Sequence, residues 1–115
     1  MEERIEISIL LDFYSALLTE KQIEIMNMYY NEDFSLGEIA ELSNTSRQAI
    51  HDLIKRCNKL LIEYEEKLKL KYKEENFNKS KKIILHKLEC LQNKAINSDF
   101  KNDIESVKID IVENL

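Results

Sequence analysis

Residues 46 to 59 contain hydrogen-bonding and basic side chains of the types that contact nucleic acids. Arginine pairs bidentately with guanine, glutamine pairs with adenine, and lysine meets guanine or phosphate. The candidates for such contacts are Ser46, Arg47, Gln48, His51, Lys55, Arg56 and Lys59. Asp52 lies among them, and its carboxylate repels phosphate and can only accept a hydrogen bond. The alternative interpretation is therefore an ordinary solvated helix surface.

These side chains need a helix that turns them away from a core. An apolar stripe from Ile50 to Leu68 predicts a long helix that ends only before "EENFN", near residue 73. At about 100° per residue with Ile50 inward, Gln48, Lys55 and Lys59 fall on the opposite side.

Shorter helices with clear start signals precede this one. Thr19 with Gln22, and Ser35 with Glu38, each form a capping-box pattern. The predicted helices are 4–17, 20 to about 31, 36–42, 47–73, 79–96 and 99–114, the last capped by Ser98. Because no strand pattern competes, the sequence predicts an all-α fold without a wing.

The helices on either side of "SNTS", residues 43–46, have the features of a helix-turn-helix. Ala40 is the small residue that lets the two helices cross, and Asn44 is best able to take the left-handed turn conformation. The predicted apolar seam consists of Ile39, Leu42, Ile50 and Leu53. Any two capped amphipathic helices share some of these features, which leaves an ordinary helical pair as the alternative.

Several strings occur together and in order along this region. They are "LLTEKQ", "YY", "FSLGEIAE", "SRQAI" and "IKR" within residues 13–56, followed by "LIEYEEKL" at 61–68. The combination resembles the small YlxM-like family of Gram-positive bacteria, over about half of the chain. Members of that family resemble the sigma-factor region that reads the −35 promoter element. Their genes typically lie beside those of the signal recognition particle and its receptor.

The resemblance implies which residues face DNA and which pathway is involved. By position it implies Ser46, Arg47, Gln48, His51 and Lys55 as DNA-facing, with double-stranded DNA as the partner. It also implies a link to protein targeting, in which the RNA or a protein subunit of the signal recognition particle is the alternative partner. Ser43 and Thr45 stand where the family usually has hydrophobic residues, so we expect a less well packed turn. Amides at Ser35 and Leu36 could also hold a phosphate.

A lysine-rich stretch over residues 67–87 carries eight Lys against two Glu. One interpretation is a second nucleic-acid surface for phosphate contacts or structured RNA. Its members would be Lys69, Lys71, Lys73, Lys81 and Lys82. The other interpretation is a solvated face that compensates an otherwise acidic chain.

The domain prediction separates residues 1–66, the helix-turn-helix domain, from 67–115, a helical extension. Both predicted C-terminal helices are amphipathic and need somewhere to bury an apolar stripe. They either fold back on the long helix or pair with a second copy. We expect a homodimer, which would also present two recognition helices together.

Charge, motifs and apolar content limit which other functions the sequence predicts. The net charge is −5 and the first 34 residues are the acidic part, so that part does not face a phosphate backbone. We find no phosphate-binding glycine loop and no metal-spaced His/Cys cluster, and predict neither an enzyme nor a cofactor or metal site. Cys57 and Cys90 are predicted to be reduced packing residues. No apolar run reaches membrane-spanning length and no secretory signal is visible, which predicts a cytoplasmic protein without membrane insertion.

Overall fold

The computed structural model describes residues 2–115, and the regular elements in this range are all helical. They are α1 (Glu2–Tyr14), α2 (Glu20–Tyr30), α3 (Leu36–Leu42), α4 (Arg47–Leu68), α5 (Leu70–Lys94) and α6 (Ser98–Asn114), with a 3₁₀ turn at Ser15–Leu17. The prediction of an all-α fold is confirmed. None of the described helices is both long enough and apolar enough to cross a bilayer.

The two predicted capping boxes are both formed. Thr19 Oγ1 accepts from the Gln22 amide at 3.2 Å, and Gln22 Oε1 accepts from the Thr19 amide at 2.9 Å. Ser35 and Glu38 make the equivalent pair at 3.1 and 3.0 Å. Two otherwise unpaired amides at each helix start are thereby satisfied, which fixes where α2 and α3 begin.

The chain divides into two compact units, and the first ends at Lys71. In this unit α4 packs against α1, α2 and α3. Its apolar side supplies Ile50, Ile54, Cys57 and Leu61 to the core. The other buried residues of the described chain are Ile7, Leu10, Leu11, Tyr14, Leu18, Ile25, Met26, Ile39 and Ala40, which all precede α4. One apolar stripe of α4 is thus fully used by the first unit.

The end of α4 differs from the prediction. Lys69 adopts a left-handed conformation with φ 55° and ends the helix at Leu68, before the predicted limit at residue 73. A polar cluster stabilises the break: Tyr14 Oη donates to Glu65 Oε1 at 2.6 Å and accepts from the Leu70 amide at 3.0 Å. Glu65 Oε1 also accepts from the Lys71 amide at 3.1 Å. The first amides of α5 are therefore capped by side chains that are distant in sequence.

The starts of the last two helices were also predicted wrongly. The string "EENFN" lies inside α5 and does not break it, since it contains neither proline nor glycine. The predicted helix 79–96 is therefore part of a longer one that starts at Leu70. Asn97, not Ser98, caps α6, and its Oδ1 accepts from the Asp99 amide at 2.7 Å.

The second unit, Tyr72–Leu115, is an antiparallel hairpin made by α5 and α6. Gln92 holds it together, because its Nε2 donates to the Lys101 carbonyl at 3.0 Å and to Glu105 Oε2 at 2.9 Å. Lys108 Nζ donates to Gln92 Oε1 at 3.3 Å. Leu85, Leu88, Ile104 and Ile111 are half-buried, and no described residue of the hairpin is fully buried.

Candidate nucleic-acid interface

The turn between α3 and α4 has the geometry of a helix-turn-helix. Ala40 is 6% exposed at the crossing, and the apolar seam on either side contains Ile39 and Ile50, both fully buried. Asn44 has φ 53°, which confirms the predicted left-handed residue of the turn. The Thr45 amide donates to the Ala40 carbonyl at 3.0 Å and ties the turn to the end of α3. Leu42, by contrast, is 65% exposed, so its predicted place in the seam is wrong.

Ser46 fixes the start of α4. Its Oγ accepts from the Ala49 amide at 3.1 Å, in the N-cap arrangement that serine favours. Asn58 holds the middle of the helix, since its Nδ2 donates to Tyr30 Oη at 2.7 Å on α2. The candidate side chains of the first turns are therefore presented by a helix anchored at two points.

Every candidate on α4 lies on the surface. Gln48, Lys55 and Lys59 are exposed on the side opposite the buried Ile50. His51, with its side chain 55% exposed, and Arg56 flank them. The helix thus brings the predicted residues onto one accessible face, of which Asp52 is also part.

Asp52 binds two of its neighbours on this face. Gln48 Nε2 donates to Asp52 Oδ1 at 3.0 Å, and His51 Nδ1 lies 3.5 Å from the same oxygen. The glutamine amide that would meet adenine is therefore already engaged within the helix. A base edge must compete with this carboxylate for the Gln48 donor.

Arg47 lies across the start of α3. A Cβ built on Gly37 would be 2.7 Å from Arg47 Nη2 and 2.9 Å from Nε, so the guanidinium rests directly against the glycine backbone. Gly37 is the single glycine of the chain. The absence of a side chain there gives the guanidinium room, while the arginine itself remains exposed.

The predicted phosphate contact at Ser35 is not supported by its local geometry. The Ser35 amide donates to Glu38 Oε1 at 3.0 Å, so this donor is occupied within the chain. Hydrogen bonds from the Ser35 amide and side chain hold the pKa of the Glu38 carboxyl below its ordinary value. An anionic carboxylate at this position repels a phosphate.

The lysines proposed as a second surface do not share one helical face. Lys69 lies in the break between α4 and α5, outside both helices. Lys71 and Lys73 point about 160° apart at 100° per residue on α5. Lys81 is half-buried, and Lys82 lines a groove between α5 and α6.

The two cysteines have different environments. Cys57 is completely buried in the core, and burial raises the pKa of its thiol. Its predicted packing role is confirmed. Cys90 is exposed on α5, with its Sγ 3.7 Å from His86 Nε2, so the packing role predicted for it is wrong. In the part of the chain described, no three His, Cys, Asp or Glu side chains lie together as a metal site would require.

Comparison with known proteins places this geometry in a family. A family model described as "Putative helix-turn-helix protein, YlxM / p13 like", UPF0122, matches residues 1–107. The chain belongs to the UPF0122 family. A UPF0122 protein of Clostridium novyi is 55% identical over 113 residues, 98% of each chain. Another, from Clostridium acetobutylicum, is 52% identical over 111 residues, 96% of each chain.

The family match confirms the resemblance drawn from residues 13–68 and extends it through most of the C-terminal hairpin. The sequence analysis did not predict that Arg47 packs on Gly37 or that Asp52 accepts a hydrogen bond from Gln48. A lone glycine inside a capping box was a signal for the first contact. The spacing of four residues between Gln48 and Asp52 was a signal for the second.

Proposed function

We propose that this chain is a regulatory DNA-binding protein that inserts the first turns of α4 into the major groove. The exposed cations Lys55, Arg56 and Lys59 on α4 support this most strongly. The opposite side of the helix is fully used by the core, so one face is left to contact a partner. That face carries side chains suited to base edges and phosphates, at the end of a helix-turn-helix.

The proposed roles follow the order of residues along α4. Gln48 and His51, on the first turns, read base edges, whereas Lys55, Arg56 and Lys59 contact phosphates as the helix leaves the groove. Ser46 is placed to donate its hydroxyl to a phosphate while it caps the helix. Each phosphate contact adds about 0.9 to the slope of log affinity against log salt.

Arg47 has the strongest potential contact of the set. Its guanidinium lies over Gly37, at the junction of α3 and α4. From there it can pair bidentately with guanine or with phosphate. Because the side chain is exposed, it can leave Gly37 without opening the core.

A second candidate function is favoured by the charge of the same face. Asp52 engages Gln48, and the whole chain has a net charge of −5. Both features weaken the attraction of duplex DNA. In this alternative the chain is an accessory protein of the signal recognition particle pathway, binds its RNA or a protein subunit, and uses the helix-turn-helix as a scaffold. Either function places the protein in the cytoplasm, and neither requires catalysis.

Fluorescence anisotropy separates the two functions. The full chain is titrated against duplex DNA from upstream of its own gene, an unrelated duplex, and the signal recognition particle RNA, each at two salt concentrations. Arg47→Ala should weaken specific DNA binding by about 1–3 kcal/mol, roughly five- to 150-fold. Asp52→Asn should strengthen it, because a repulsive charge is removed. Lys101→Ala, which removes an exposed cation on α6, is the matched control and should change nothing.

Each result selects one function. Sequence-dependent DNA binding that Arg47→Ala weakens by that amount and Lys101→Ala leaves unchanged supports the regulator. A preference for the RNA, with Arg47→Ala without effect, moves the function to the targeting pathway. Absence of binding to either nucleic acid excludes both nucleic-acid functions and leaves a protein partner.

A further inference from the structure

The α5–α6 hairpin exposes large apolar side chains at heptad spacing. On α5 these are Ile84, 48% exposed, and Leu91, 55% exposed. On α6 they are Phe100 and Val107, 63% and 46% exposed. Each pair is seven residues apart, the repeat by which one helix packs along another. These four residues are called the apolar ridge below.

Helical geometry places the ridge on one side of the hairpin. The residues that face the opposite helix are half-buried, and they include Leu88 and Ile104. On both helices the ridge residues lie about 40–60° from that inward direction, in the same rotational sense. Because the helices are antiparallel, equal senses of rotation bring both halves of the ridge to the same side.

The other side of the hairpin is a groove. It has a volume of about 470 Å³, and Glu89 from α5 and Val112 from α6 are among its lining residues. None of the four ridge residues lines it. The ridge and the groove are therefore opposite surfaces of the second unit.

The ridge is bordered by opposite charges. Lys87 and Lys94 are exposed on α5, each three residues after a ridge residue. Asp103 and Asp110 are exposed on α6, also each three residues after one. These are the flanking heptad positions at which salt bridges select partner and orientation in coiled coils. One edge of the face is thus basic and the other acidic.

We propose that a second copy of this chain covers the ridge, with the two-fold axis parallel to the helices. In that arrangement α5 of each copy lies over α6 of the other, and the basic edge meets the acidic edge twice. The alternative axis, perpendicular to the helices, would place α5 over α5 and bring Lys87 against lysine. Charge complementarity therefore selects both the occupant and its orientation.

The levels of the charged residues along the hairpin fit this pairing. Gln92 contacts Lys101 and Glu105, so it lies near the level of residue 103. Lys94 is two residues after Gln92, about 3 Å along the helix axis. A two-fold axis parallel to the helices keeps both copies at the same level, so Lys94 can reach Asp103 of the second copy. By the same offset Lys87 can reach the partner's Asp110.

The size of the face sets the strength of the dimer. A 17-residue helix is about 26 Å long and two helices are about 20 Å wide, so each copy buries roughly 500 Å². The total of roughly 1,000 Å² is at the lower end of specific interfaces. We therefore expect a reversible dimer at micromolar concentration.

Charge reversal tests the orientation in the full chain without DNA. Lys87→Glu with Lys94→Glu should raise the dimer dissociation constant at least about tenfold in sedimentation equilibrium, because four ion pairs become repulsive at once. Adding Asp103→Lys and Asp110→Lys should restore dimerisation. If the fourfold variant is no better than the double variant, the proposed orientation is refuted.

Apolar substitutions test which surface is covered. Val107→Lys places a charge on the ridge and should abolish the dimer. Val112→Lys, on the groove side of the same helix and 60% exposed, is the matched control and should leave it intact. Both residues are exposed in the single chain, so both variants should keep the wild-type helical circular dichroism.

Three outcomes overturn the proposal. They are a wild-type chain that stays monomeric up to several hundred micromolar, equal dimerisation of the Val107→Lys and wild-type chains, and loss of the dimer with Val112→Lys alone. The inference goes beyond DNA binding, and its readout is oligomeric state in the absence of nucleic acid. Failure of the DNA titrations would not refute the dimer, and a monomeric chain would not refute DNA binding.

Discussion

The junction of α4 and α5 offers a direct test of how the first unit is held together. Tyr14 is 1% exposed, and its hydroxyl bridges Glu65 on α4 and the first amide of α5. Tyr14→Phe keeps the ring and removes only that hydroxyl. A hydrogen bond to a charged group contributes about 1.5–3 kcal/mol and an unpaired amide costs about 1 kcal/mol. We expect a loss of about 2–3 kcal/mol in the free energy of unfolding.

The pH dependence gives this variant a second signature. Burial, and then the hydrogen bond to Glu65, raise the pKa of Tyr14 above its ordinary value of 10.0. The contribution of the neutral phenol is therefore complete below pH 10 and is lost as the pH rises through the higher folded-state pKa. Wild-type protein should lose stability in this alkaline range more steeply than Tyr14→Phe.

Urea denaturation followed by far-ultraviolet circular dichroism measures both effects. Tyr30→Phe is the matched control, because the Tyr30 hydroxyl is bound to the neutral Asn58 side chain and its loss should cost only about 1 kcal/mol. A Tyr14→Phe variant within 0.5 kcal/mol of wild type, roughly the effect of an ordinary surface substitution, would refute this account of the junction.

Three further substitutions test the helix-turn-helix and its capping. Glu38→Gln should lower the melting temperature at neutral pH but not at a pH below the depressed pKa of Glu38. The stability that the carboxylate contributes is present above pH 4.5 and is lost as the pH falls through that pKa. A difference in melting temperature that persists in acid would contradict this explanation. Asn44→Gly should retain stability and Asn44→Val should lose about 1–2 kcal/mol in urea denaturation, because a β-branched residue is strained at φ 53°. Gly37→Ala should displace Arg47 and raise stability by up to about 1 kcal/mol through helix propensity; a loss in the same assay would show that Arg47 cannot move.

Local signals in the sequence were sufficient to place the starts of α2, α3 and α4. A capping box joins residues three positions apart, and an apolar stripe repeats within two turns, so both patterns are complete in a short string. Thr19 and Ser35 accordingly mark the starts of α2 and α3 as predicted, and Ser46 caps α4 in the same local manner. Asn44 was predictable for the same reason, because its left-handed conformation depends on its own side chain.

The candidate interface was predictable as a face but not as a set of contacts. Exposure of Gln48, Lys55 and Lys59 follows from the period of the helix once Ile50 is inward. The packing of Arg47 on Gly37 depends on the angle between α3 and α4, which the sequence does not state. Of the two amides proposed for a phosphate, the one at Ser35 is already used as a donor by the capping box.

The sequence by itself determined the all-α fold, the helix-turn-helix and its family, because these depend on short-range periodicity, capping and motif order. Only the tertiary structure decided that α4 ends at Leu68, since the cause is a hydroxyl on Tyr14, more than fifty residues earlier. It likewise decided which apolar side chains of the C-terminal helices face each other and which form the exposed ridge. A helix with two apolar stripes does not specify which one its neighbour covers, and that choice is made by packing.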